Sequence, residues 1–200
     1  MKNLLRIDTS IFGINGQSGQ LADDLVSRLR QEHPEMQVTT RDLGRSPVPH
    51  LDEATFTAFT TPADQRAPAQ QAAVDFSDQL IAELREADVV VLGLPMYNFG
   101  VPPSLKAYFD HVARAGETFR YTPDGPVGLL EDRKVYVVAA RGGRYEGTDL
   151  DTQTAFVRNF LAFVGLKDVE FIYAEGLAMG EDARNAGLGV ARARIEAVAA

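Results

Sequence analysis

The stretch Asp88-Val89-Val90-Val91-Leu92-Gly93-Leu94 decides the fold. From Val89 onward it is a continuous, largely β-branched run, without the apolar–polar alternation of a strand that wets one face. Such a run reads as a strand buried on both faces, the condition of a parallel sheet covered by helices. Upstream, Leu80, Ile81 and Leu84 mark the inner face of a helix ending near Ala87. Downstream, Leu105, Tyr108, Phe109 and Val112 fall at i, i+3, i+4 and i+7, which predicts a second helix stopping near Gly116.

The same alternation extends in both directions. Leu4 to Asp8 reads as a first strand, and Leu21, Leu25 and Leu29 predict a helix over about 18–32. Met36 to Arg41 is β-favouring, as are Lys134 to Ala140 and Val169 to Tyr173. Phe156, Phe160, Phe163 and Val164 stripe a helix, and residues 182–198 form a closing one. Residues 44–68 hold Pro47, Pro49, Pro62 and Pro68 and are read as an irregular excursion. Strands alternating with helices predict one α/β domain over 1–200, a three-layer sandwich with a five-stranded parallel sheet in the order 2-1-3-4-5. In that order ligands bind beyond the carboxyl ends of the strands, beside strands 1 and 3.

Composition narrows the chemistry. With no cysteine, disulfides, thiolate catalysis and iron–sulfur clusters are excluded. The net charge of −8 and scattered arginines argue against a nucleic-acid partner. No stretch is apolar enough for a membrane span, and the charged start does not fit a signal peptide, so a cytoplasmic location is expected. His33, His50 and His111 lack metal-ligand spacing; His111 sits one position off its helix stripe and is expected at the surface or boundary. Glu131-Asp132 beside Arg133-Lys134 reads as a solvated loop.

Three loops of unusual composition are expected at one sheet edge. Asp8 to Gln20 joins a strand to a helix with Gly13, Gly16, Gly19, Ser10 and Ser18, a composition that lets peptide N–H groups and hydroxyls approach an anion at a helix N-terminus. It is neither a dinucleotide fingerprint nor a Walker loop, and a Ser-capped helix would account for it equally. Pro95-Met96-Tyr97-Asn98-Phe99-Gly100-Val101-Pro102-Pro103-Ser104 offers apolar side chains on a loop stiffened by three prolines, suited to a flat aromatic ligand or to covering the sheet ends. Ala140-Arg141-Gly142-Gly143-Arg144-Tyr145, with two glycines directly after a strand, permits close backbone approach, or is a plain turn.

Asn15-Gly16-Gln17-Ser18, Pro95-Met96-Tyr97-Asn98-Phe99, Arg114-Ala115-Gly116-Glu117-Thr118-Phe119-Arg120-Tyr121 and Arg141-Gly142-Gly143 together resemble the bacterial FMN-dependent NADH-azoreductases, in the flavodoxin-like superfamily that also holds the NAD(P)H quinone reductases. The resemblance implies a flavodoxin-like fold, with Ser10, Gly16, Gln17 and Ser18 at the FMN phosphate. It places Met96, Tyr97, Asn98 and Phe99 on the isoalloxazine, and Ala140, Arg141, Gly142 and Gly143 at its pyrimidine side. It further implies a homodimer with Tyr121 and Phe163 lining the substrate space. Gly16 and Ala140 stand where relatives often carry serine.

The implied reaction is ping-pong hydride transfer from NADH or NADPH through FMN N5 to quinones or azo bonds, with no protein group acting as catalytic acid or base. A rival of another class is an FMN electron carrier serving protein partners. The aromatic second loop and the long segment 117–133 favour a substrate pocket over it.

Overall fold

The computed structural model describes residues 1–198. Strands β1 (Asn3–Asp8), β2 (Gln37–Asp42), β3 (Val89–Pro95), β6 (Lys134–Ala140) and β7 (Val169–Ala174) form a parallel sheet in the order β2-β1-β3-β6-β7. Counted within the sheet alone, this is the expected order 2-1-3-4-5. The two remaining strands, β4 (Phe119–Thr122) and β5 (Gly125–Gly128), pair only with each other, antiparallel. That hairpin was not anticipated: its strands are four residues each, too short for a periodic signal.

The pleat sorts the core into two layers. Val90, Leu92 and Leu94 of β3 face helices α3 (Pro68–Glu86), α4 (Pro103–Val112) and α5 (Thr152–Val164). Val89 and Val91 face α1 (Gln17–Glu32) and α6 (Glu181–Glu196). Both faces of β3 are thus covered, as its unbroken apolar run requires. Leu21, Leu25 and Leu29 of α1 are fully buried, as their spacing predicts. No helix among the described residues is long and apolar enough to cross a membrane.

Two expectations fail on one face. The 44–68 excursion contains a helix, α2 (Glu53–Thr60), whose N-cap Asp52 accepts a 2.8 Å hydrogen bond from the Thr55 amide. Eight residues with two phenylalanines and three threonines give little periodicity, so the cap was its clearest signal. The second failure follows from the first. His111 is buried, its ring edge-on to Phe59 of α2 and Phe76 of α3, with centroids 5.8 Å apart in each case. A residue off the helix stripe is covered here by an element the excursion concealed. Arg133 and Asp132, read as solvated, tie the bottom of the fold together: Arg133 donates to the Leu84 and Arg85 carbonyls at the end of α3, and Asp132 accepts from the Lys167 and Asp168 amides.

Candidate functional site

The loops after β1, β3 and β6 meet at the carboxyl edge of the sheet. Tyr97 Oη lies 3.3 Å from Ser10 Oγ and accepts from the Ile11 amide at 3.2 Å, joining the first loop to the second. Met96 donates its amide to the Ala140 carbonyl at 3.0 Å, and the rings of Phe99 and Tyr145 meet edge-on at 5.5 Å, joining the second to the third.

Each loop presents peptide donors that no described residue accepts. In the first, Gly16 is the N-cap of α1 and supplies no capping side chain. The amides of Gln17 and Ser18 therefore stay open, as first-turn N–H groups do without a cap. Ser18 Oγ beside them is buried and has no partner. In the second, the amides of Asn98 and Phe99 donate to no described residue, and in the third neither do those of Gly142 and Gly143. An uncapped helix start with an orphaned hydroxyl suits a phosphate; amides from two further turns suit the polar rim of a planar ring. The residues present therefore fit a phosphorylated ring cofactor.

Gly16 has a local explanation. A Cβ there would lie 2.3 Å from Ser10 Oγ, so the Ser10 hydroxyl fills the space a side chain at 16 would need. Beneath the loop, Arg6 binds Asp8 at 2.9 Å, Asp23 at 2.9 Å and the Gly19 carbonyl at 2.9 Å, fastening β1 to the start of α1. Burial raises the Asp8 carboxyl above its ordinary range, against the pull of the Arg6 charge.

The side chain of Arg141 is committed within the protein. It is wholly buried, bound to Asp151 at 2.7 Å, to Glu175 at 3.1 Å and to Thr154 at 3.2 Å, over the ring of Tyr173. Burial disfavours the charged Asp151, but hydrogen bonds from Arg141 and Thr154 outweigh it and hold that carboxyl below its ordinary range. Glu175 also accepts from the Tyr145 and Glu146 amides, at 2.9 and 3.0 Å, and so shapes the third loop.

Tyr121 and Phe163 are together, but not at this rim. Both pack on Phe119, with centroids at 5.5 and 4.3 Å. Phe163 lies near the far end of α5, roughly 15 Å of helix rise from the residues that touch the second loop. Tyr121 is 74% exposed, an uncovered aromatic on the hairpin.

Residues 2–199 match the family model described as a flavodoxin-like fold. The chain belongs to the flavodoxin-like fold family. Among curated relatives, the "FMN-dependent NADH:quinone oxidoreductase" of Cellvibrio japonicus is 56% identical over 90% of this chain and 91% of its own length. The enzyme of the same name from Burkholderia pseudomallei is 52% identical over 99% and 100%. Among solved structures, an azoreductase from Bacillus anthracis superposes with a TM-score of 0.86 at 27% identity, covering 99% of this chain and 100% of that one.

Within this flavodoxin-like chain, Asp151, Gln153 and Glu175 organise the rim and were missed from sequence. Gln153 carried a signal: it lies on the same helical stripe as Val157, Leu161 and Val164, a polar residue on the buried face of α5.

Proposed function

We propose that this chain is an FMN-dependent NAD(P)H oxidoreductase acting on quinones and azo compounds. The observation that carries the reading is the convergence of uncommitted peptide amides from three loops on one rim, in a chain more than half identical to named FMN-dependent NADH:quinone oxidoreductases. The likeness to an azoreductase structure supports azo compounds as further acceptors. Bound there, FMN would supply the two-electron hydride chemistry that links a nicotinamide donor to the acceptor.

The protein's part is to bind and orient. Ser10, Gln17, Ser18 and the Gly16 turn hold the phosphate. Met96, Tyr97, Asn98 and Phe99 hold the isoalloxazine, and the main chain of Ala140, Arg141, Gly142 and Gly143 meets its pyrimidine edge. Amides aimed at that edge stabilise negative charge developing on the ring. No acid or base of the chain is needed. An azo bond consumes two nicotinamides and two protons for each pair of amines released.

The placement of Tyr121 and Phe163 supports a homodimer, in which these side chains approach the rim of the partner copy. The reading also takes 1–200 as one domain and the compartment as the cytoplasm. An electron carrier serving protein partners would need no such pocket, and the curated relatives are named for quinone reduction.

The test is the purified protein itself. It should be yellow, bleach anaerobically with NADH, and recover its absorbance on adding a quinone. A colourless protein that does not take up FMN would overturn the proposal; bleaching that only a separate reductase can drive would support the carrier instead.

A further inference from the structure

Residues 97–100 close a two-residue turn: the Tyr97 amide donates to the Gly100 carbonyl at 3.2 Å and the Gly100 amide to the Tyr97 carbonyl at 3.0 Å. Its central residues, Asn98 (φ 49°) and Phe99 (φ 62°), are both left-handed. That is the pattern of a type I′ turn, which favours Asn-Gly. Asparagine tolerates this region, whereas phenylalanine adopts it only under compulsion.

The compulsion comes from the first turn of α5. Gln153 Nε2 donates to the Pro95 carbonyl and to the Gly100 carbonyl, each at 3.0 Å, stapling both ends of the loop to one amide. Thr152 Oγ1 donates to the Phe99 carbonyl between them. A flipped amide would set Oε1 against two carbonyl oxygens, so the orientation is fixed by its surroundings. As the central residues of a two-residue turn, Asn98 and Phe99 donate their amides to no described residue, and the bonds to α5 hold the turn in that form.

Energetics argue that this amide does not serve stability. Gln153 is wholly buried, and its Oε1 has no partner among the described residues. Two neutral hydrogen bonds gain about as much as one orphaned buried acceptor costs. An apolar side chain of the same length would restore the packing and remove the orphaned oxygen, at the cost of leaving the Pro95 and Gly100 carbonyls without this donor.

We infer that Gln153 is a positioning residue, which fixes the left-handed Asn98-Phe99 turn so that its two amides address the flavin ring. The inference rests on the proposed FMN site. Its test compares the holoprotein with Gln153→Met, Phe99→Gly and the double variant. Three quantities are read: the urea midpoint, the flavin midpoint potential, and FMN release on dilution as free-flavin fluorescence.

Gln153→Met should lower its urea midpoint only slightly, raise the FMN dissociation constant about tenfold, and shift the flavin potential. Adding it to Phe99→Gly should raise that constant less than threefold, because glycine holds the turn without help. Collapse of the urea midpoint in Gln153→Met would make Gln153 an ordinary core residue and overturn the inference. So would an unchanged dissociation constant and potential, or an equal loss in the Phe99→Gly background. If the parent protein itself binds no FMN, the proposed function falls, a result distinct from parent and variant binding alike.

Discussion

Arg141→Met would strip the one cation from a buried cluster and leave two carboxylates behind. Asp151 and Glu175 have side chains only 8% and 15% exposed, and Arg141 none at all. Breaking a buried pair costs about 3–5 kcal/mol, because the stranded charge keeps its desolvation penalty without its partner. With a urea slope of about 2 kcal/mol/M, the midpoint should fall by roughly 1.5–2.5 M. Glu175→Gln should cost much less. Its amide oxygen still accepts from the Tyr145 and Glu146 amides, and Arg141 keeps Asp151. The double variant should lose less than the two single losses added together, since one stranded charge is gone. The pH dependence has a definite sign. Asp151 titrates below its unfolded value, so its contribution is complete above about pH 4 and is lost as pH falls through the lowered folded value. Equilibrium urea curves at pH 7 and pH 3.5 provide the assay. A loss under about 1 kcal/mol for Arg141→Met at pH 7 would refute the argument, because it would mean that the cluster behaves like an exposed ion pair.

Gly187 packs its Cα on the Glu175 carbonyl, and a Cβ there would lie 2.1 Å from that oxygen; Gly187→Ala should cost about 1–3 kcal/mol, and an unchanged melting temperature would rule this out. Burial lowers the His111 pKa. The unfolded chain then takes up a proton the folded chain refuses as pH drops below about 6.5, so stability should decline between pH 7 and pH 5 and His111→Phe should flatten that slope; equal slopes in urea titrations would count against it. Gly142→Val should give a folded but colourless protein, because its Cβ already comes 3.3 Å from that of Ala178 and the branches must extend over the rim; retention of full yellow colour would remove Gly142 from the site.

The sheet was legible because burial on both faces leaves a mark that survives in one dimension. Val89 to Leu94 could scarcely be anything else, and Leu21, Leu25 and Leu29 face the core as their spacing says. The three loops at the carboxyl edge stood out in the sequence by their glycines and by aromatics where a connecting loop is usually polar. What stayed hidden depends on side chains meeting across the chain. Nothing next to Arg141 in the chain announces that its side chain is clamped between Asp151 and Glu175. His111 looked exposed until α2 covered it. Tyr121 and Phe163 were linked to the site through resemblance, and within one chain they lie elsewhere.

The start of α5 serves two masters: its N-cap Asp151 holds the third loop through Arg141, and the next two residues hold the second loop through its carbonyls. Neither loop can therefore be exchanged alone. A chimera that borrows 95–100 from a distant relative inherits a turn without its anchor, whereas a transplant carrying 95–100 together with 141–154 moves the whole mounting. Drift at any one of these positions should be tolerated only when the others drift with it.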